Sequence, residues 1–570
     1  MRVADGRSNW PQDAAETGIP SVGLLRIERG KIEIADDVLD THLEIAFKGR
    51  ESTDGPTSVN AAYETTATGR YHGLPLKLEA RSGAALPLLG GATSDINELQ
   101  MVPLKVIGSV GRAQIDFDGE ALALFGSPRI DGLIKLRAGS LGRVGDVLGL
   151  TLPETAPFRL RGRLEHELGE WRLRDVQMTV GHSQVGGDYR FDTRVNPPLL
   201  SGKLQASRIR LADLGPAVGV AADEPAGKDG KVLPARRFDL PSLAAMDANV
   251  QASVDELDFG TPTLRPILDL RTHVVLAKSV LRLEDMQARA GGGSLSGMSQ
   301  LDGRKGAADW LAELRFDGLE VAKWIAGVRK PDAKTNVANE PSKASPPDAT
   351  VQRPATAYLT GKLDGRMKVR GSGTSTAGIL ASLDGDAQAT IRNGTISHLT
   401  TELMGIDVAQ ALGVAIRGDD ALPLHCARLD VKIENGIVVP RVAVLDNRDS
   451  TVRMTGSVNL RDEALDLHLT TSPKDFSPLT LRAPVFVKGT LGAPRVGLDA
   501  GPLVARVAAS VVLGVIATPL AALLPLIDPG SKEEGDPCAM QVPPASPAAS
   551  QAGARIGTAQ HGTAKPRSSR

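Results

Sequence analysis

Residues 158–164 read FRLRGRL, in which Phe158, Leu160 and Leu164 alternate with Arg159, Arg161 and Arg163. Successive side chains of an extended chain point to opposite faces, so the stretch is a strand with one greasy face and one wet face. The pattern recurs along the chain. Leu43, Ile45 and Phe47 alternate with His42, Glu44 and Ala46, and Leu465, Leu467 and Leu469 alternate with Asp466 and His468. Strands buried on both faces would read as continuous apolar runs, so these suit an antiparallel sheet covered on one side only.

The strands come in a repeating unit. Trp171 to Leu204, Leu281 to Phe316 and Ile437 to Leu469 each read as three consecutive strands with glycine at the crossovers. Each is a meander of about 33 to 36 residues, a repeat-protein period.

Composition fits that reading. The 570 residues exceed one ordinary domain several-fold. Apolar residues make up 41%, too many for a disordered chain, yet only 10 Phe, 4 Trp and 4 Tyr are present, so the apolar surface is aliphatic. The 61 Gly and 37 Pro suit many turns between short strands. With 66 basic and 67 acidic residues the net charge is -1, which disfavours nucleic-acid binding.

The chain divides by composition. Residues 1–20 read as a disordered N-terminus without a signal-peptide pattern, and 21–220 as an N-terminal β-repeat region. A linker follows at 221–235, a central β-repeat unit at 236–329, and a second, Pro- and Ala-rich linker at 330–356. Residues 357–500 form a C-terminal β-repeat domain, 501–528 an apolar helix and 529–570 a disordered tail. Helical patterns are few: Ser375 to Leu383, Thr401 to Leu412, and Leu503 to Thr518. Leu503 to Ile527 approaches the length of a membrane span, but Arg506, Pro519 and Pro525 interrupt it, so it is expected to cap the sheet or lie at an interface rather than span.

No catalytic constellation stands out. The chain has no H-E-x-x-H and no P-loop, and AGSLG at Ala138 to Gly142 lacks the first glycine of G-x-S-x-G. GSGTST at Gly371 to Thr376 begins like a dinucleotide fingerprint but ends in Thr; its glycines suit a turn before the helix at Ser375. His166, His182 and His468 are expected to face solvent, and neither a metal nor a cofactor is expected. Cys426 and Cys538 are too few for a zinc site; they could form one disulfide or be two unrelated thiols.

Several stretches resemble the AsmA family of bacterial envelope proteins. They are LPARRFDLPSLAAMDANVQASVDEL (233–257), LRLEDMQARAGGGSLSGMSQLDGR (281–304, with Gly291 to Gly293), and Gly371, Gly373 and Ser375 followed by LASLDG (380–385). RNGTISHL (392–399), ELMGIDVAQALG (402–413), ALPLHCARLDVKIENGIV (421–438), SPLTLRAPVFVKGTLGAPRV (477–496) and LAALLPLIDPG (520–530) extend the likeness, which covers roughly Ser21 to Met540. Members of that family usually carry an N-terminal inner-membrane helix and a chorein-like β-segment. Neither is evident here, so the expectation is a truncated or variant start.

The resemblance implies a mainly β fold: an elongated, curved antiparallel repeat sheet, taco-like, with a few short helices and an apolar C-terminal helix. It also implies a non-enzymatic role. The protein would shelter or transport phospholipid between inner and outer membranes, in the periplasm and associated with the plasma membrane. It would thereby affect outer-membrane assembly and the regulation of protein targeting to the membrane. The alternative is a structural β-repeat scaffold for envelope assembly proteins. Expected lining positions are Leu43, Ile45, Phe47, Phe158, Leu160, Leu164, Leu281, Leu283, Leu465, Leu467 and Leu469. Leu503, Val507, Val511, Leu513 and Ile516 would contact a membrane or cap the groove. In an oxidising periplasm a Cys426–Cys538 bridge would tie the tail onto the last repeat.

Overall fold

The computed structural model describes residues 29–38, 40–49, 63–83, 101–122, 129–148, 155–214, 231–235, 237–238, 240–260, 264–325, 359–397, 421–474, 485–498 and 538. Among them 24 strands form one sheet. β1 to β11 span Arg29–Asp36, Thr41–Gly49, Tyr63–Tyr71, Leu74–Ser82, Val102–Val110, Ala113–Leu122, Arg129–Ala138, Phe158–Glu167, Glu170–Val180, Ser183–Asp192 and Leu199–Arg210. β12 to β16 span Asp247–Asp258, Ile267–Ala277, Val280–Ala290, Gly293–Asp302 and Ala308–Glu320. β17 to β24 span Lys362–Gly373, Asp384–Ser397, Ala421–Glu434, Ile437–Asn447, Ser450–Asn459, Ala464–Pro473, Val485–Thr490 and Ala493–Leu498. Three short helices interrupt them: α1 (Leu141–Leu148), α2 (Val321–Trp324) and α3 (Thr376–Ala381).

Each strand pairs with the one before and the one after it in sequence, so the sheet is a single long, curved meander. At about 4.8 Å per strand it extends on the order of 110 Å before twist and coiling. The three repeat units read from the sequence are the meanders β9–β11, β14–β16 and β20–β22. Hairpin turns carry the residues their geometry requires. Gly291 and Gly292, and Asn435 and Gly436, all have positive φ, the conformation of a type I′ turn whose twist matches the flanking strands.

The three β regions separated by composition are not separate sheets. β16 pairs with β17 across the second linker, and β11 pairs with β12 across the first. That second junction departs from the antiparallel expectation: β11 and β12 run parallel, with Leu200 opposite Ala248 and Gly202 opposite Val250. A parallel pair requires the chain to return to the end where it started, and the segment between Leu211 and Met246 does so.

Strand ends define two rims, the first carrying the β1–β2 turn and the second the approach to β3. The returning segment arrives along the second rim and is not free there. The backbone N–H groups of Val232 and Leu233 donate to the Glu463 carboxylate in the β21–β22 turn, at 2.7 and 3.1 Å. Farther on, the Ala377 N–H donates to Pro234 O, and the Phe238 N–H donates to Thr374 O, each at 2.8 Å. Leu240 and Leu243 then lie against Gly303 in the β15–β16 turn. Residues 232 to 247 thus form a strap from β22 back to β12. Pro241–Ala244 within it form a 3-10 turn, so the strap is extended over only part of its length.

Glu463 is 2% exposed, so its removal leaves two backbone donors without their acceptor. Glu463→Ala is expected to release the strap and raise tryptic cleavage after Lys231 by about tenfold or more. An unchanged cleavage rate would show that the contact does not hold the segment.

Candidate functional site

Register, not sequence spacing alone, decides which side chains share a face. Cross-strand partners point to the same side, so a row can be followed from strand to strand. One such row begins Gly49, Tyr63, Ser82, Leu104, Gly119, Gly132 and Leu164. It continues through Leu173, Tyr189, Gly202, Val250, Val274, Leu283, Ser299, Ala312 and Val369. It ends Gly385, Ile433, Val438, Val458, Leu465, Gly489 and Pro494. This row crosses from β2 to β24 without meeting a charged side chain. A neighbouring row runs Ile45, Ala67, Leu78, Gly108, Ile115, Leu136, Leu160, Met178 and Val185, and is equally apolar.

All eleven expected lining positions fall on this face. Leu43, Ile45 and Phe47 lie on β2, Leu160 and Leu164 on β8, Leu281 and Leu283 on β14, and Leu465, Leu467 and Leu469 on β22; these ten are half-buried. Phe158 differs. It is 2% exposed, because Leu141 and Val144 of α1 pack over it together with Ala138 and Val180 at the first rim. It closes an end of the face rather than lining an open part of it. α2 and α3 act likewise: Trp324 packs against Ile267, Ala290 and Leu319, and Leu380 against Val431 and Ile433.

Between the rims, no second sheet covers the face among the described residues, since every strand belongs to the one sheet. The other face is charged and laced with ion pairs, among them Lys105 with Asp118 at 3.0 Å, Arg163 with Asp131 at 2.8 Å and Arg441 with Asp430 at 2.6 Å. Single bulges keep the sides distinct. At Asp175 and Asp285, both with φ of 51°, an extra residue shifts the register so that Val176 and Met286 return to the apolar side.

Polar groups on the apolar face are few. The Tyr189 hydroxyl donates to Gly186 O at 2.9 Å, and burial together with nearby Asp188 pushes the phenol up to about 12. His166 is a correction to the expectation of a solvent-facing histidine. It is 7% exposed, with its ring 4.1 Å from that of Trp171, because the register turns it to the apolar side next to the second rim. His182 sits in an exposed turn, and His468 lies on the charged side beside Asp466 at 3.2 Å.

Cys426 and Cys538 are joined as a disulfide, with Cα atoms 6.4 Å apart and a sequence separation of 112. Cys426 lies near the first rim, opposite Asp446 on β20. Burial pushes the Asp446 carboxyl up, but Lys474 at 2.8 Å, the Thr451 hydroxyl at 2.6 Å and His425 at 3.0 Å outweigh it and hold it below the usual carboxylate range. Leu503, Val507, Val511, Leu513 and Ile516, and the expected helix over 401–412, lie outside the described residues. No helix among the described residues is long and apolar enough to cross a membrane. No cluster of His, Cys, Asp or Glu among them is arranged to hold a metal ion.

A single-layer sheet with one face kept free of charge from end to end defines a class of elongated β-groove proteins. The AsmA family model matches residues 172–337 and 354–442 of this chain. The AsmA family protein YhjG of Escherichia coli (strain K12) is 28% identical over an alignment that covers 94% of this chain and 80% of that protein. The chain is thus similar to AsmA family proteins over most of its length. No solved structure matches it.

Proposed function

We propose that this chain is a non-enzymatic envelope protein whose apolar face shelters phospholipid acyl chains and conducts them between inner and outer membranes, and so contributes to outer-membrane assembly and to the regulation of protein targeting to the membrane. The observation that carries this reading is the uncharged row from Gly49 to Pro494. An alkyl chain in water costs about 25 cal/mol per Å² of apolar surface. A continuous aliphatic face removes most of that cost at every point along its length. Half-buried leucines and valines make no directional demand on a guest, which suits passage better than tight capture. Similarity to the AsmA family supports an envelope role. The disulfide supports an oxidising compartment, because cytosolic thiols stay reduced.

Photo-crosslinking side chains placed at Leu160, Leu283 and Leu467 are expected to capture lipid, and the same groups at Arg161, Arg282 and Asp466 are not. Mass spectrometry of the adducts reads the result. Protein adducts in place of lipid at the first three positions would favour the scaffold reading. Leu467→Glu places a carboxylate on the face and is expected to lower co-purifying lipid several-fold while shifting the unfolding midpoint little; equal lipid capture would count against conduction.

A further inference from the structure

Many cations on the charged face have a carboxylate partner. Lys135 meets Asp116 at 3.1 Å, Arg174 meets Glu165 at 3.1 Å, and Arg208 meets Glu256 at 3.0 Å. Arg137, Arg159 and Arg161 have none; Arg315 and Arg366, facing each other on β16 and β17, share this lack, but only the first three also border a depression. Register sets Arg137 on β7 directly opposite Arg159 on β8, and Lys135 directly opposite Arg161. Side chains so placed have Cβ atoms roughly 5 Å apart, and like charges in that position destabilise the pair. None of the three arginines has a carboxylate within ion-pair distance among the described residues. Arg161 reaches only the amide oxygen of Gln177, at 2.8 Å from Nε. On the next strand, Thr179 stands opposite Arg159 and Gln177 opposite Arg161, so neutral groups continue the surface. Together these residues border an open depression of about 590 Å³.

We propose that this patch is a binding site for a phosphate-group oxyanion. The planar guanidinium fork matches phosphate oxygens in pairs. Two arginines facing one another across β7 and β8 present such forks side by side, with the Thr179 hydroxyl as a neutral donor. A phosphate ester also brings the charge needed to offset the opposition that the bare sheet leaves uncompensated. The site is distinct from the apolar face, because Arg159 and Arg161 alternate along β8 with Phe158 and Leu160 and point to the other side. It therefore does not depend on lipid lying on that face.

The test compares the full chain with Arg137→Gln/Arg159→Gln/Arg161→Gln and with a control of equal charge change at paired arginines, Arg163→Gln/Arg174→Gln/Arg208→Gln. The wild type is expected to unfold at a higher temperature in inorganic phosphate than in chloride of equal ionic strength, or to sediment with phosphatidylglycerol vesicles but not with phosphatidylcholine vesicles. The first response without the second assigns the site to a free phosphorylated solute; the second assigns it to lipid headgroups. The patch variant should lose whichever response is found, vesicle affinity falling on the order of 100-fold at low salt, while the control stays within a few-fold. Without phosphate the patch variant should melt no lower than wild type, since like-charge opposition has been removed. Absence of both responses in the wild type, equal losses in the two variants, or a lower melting temperature of the patch variant would each overturn the assignment.

Discussion

Gly187→Val is expected to unpair the centre of the N-terminal half of the sheet, lowering stability by about 3 kcal/mol or more. Gly187 lies mid-strand on β10, on the apolar side, with φ at 130°, a conformation that only glycine adopts freely. A Cβ built there would stand 1.9 Å from the carbonyl oxygen of Lys203 on β11, and that neighbour is backbone, with no side chain to swing away. Gly306 is the control. It sits in the β15–β16 turn with nothing within 4 Å of an added Cβ, so Gly306→Ala should stay within about 0.5 kcal/mol of wild type. Urea unfolding followed by circular dichroism separates the two; matching midpoints for both variants would show that the close approach of β10 and β11 is not required.

Loss of the disulfide is the second large effect. The bond closes a loop across a separation of 112 residues, and in the chain-entropy model a loop of that size limits the unfolded chain enough to contribute about 4–5 kcal/mol. Cys426→Ser/Cys538→Ser should therefore melt well below the oxidised wild type and be insensitive to reductant, while the wild type with reductant should fall to the level of the variant. A mass measurement that finds two free thiols in protein purified without reductant would remove the bond and this prediction together.

What could be read in the sequence was what a period of two writes into it. Leu160 beside Arg161, and Leu467 beside Asp466, show a two-faced strand without knowledge of any partner, and the meander repeats show that neighbours in sequence are neighbours in the sheet. Only register could show that Leu43, Leu160, Leu283 and Leu467, hundreds of residues apart, share one continuous side, because a single slipped residue would have sent any of them to the other. His166 was misplaced for the same reason: in FRLRGRLEHE it follows charged Glu165 and reads as wet, yet its parity with Leu164 puts it on the apolar side. The opposition of Arg137 to Arg159 was likewise hidden, since the two lie on different strands. The parallel junction and the attachment of Val232 to Glu463 depend on where a polar, aperiodic segment goes, and composition marks such a segment only as a connector.

The run from Val232 to Asp247 ties together one margin of the molecule. Between β12 and β22 the second rim is tied by the bonds of Val232 and Leu233 to Glu463, whereas β1 to β11 have no such tether among the described residues. The two halves therefore differ in how this margin is held, with the parallel seam between β11 and β12 as the boundary. A long open sheet built this way is free to turn its front portion while a cord along one edge keeps the shape of the back portion.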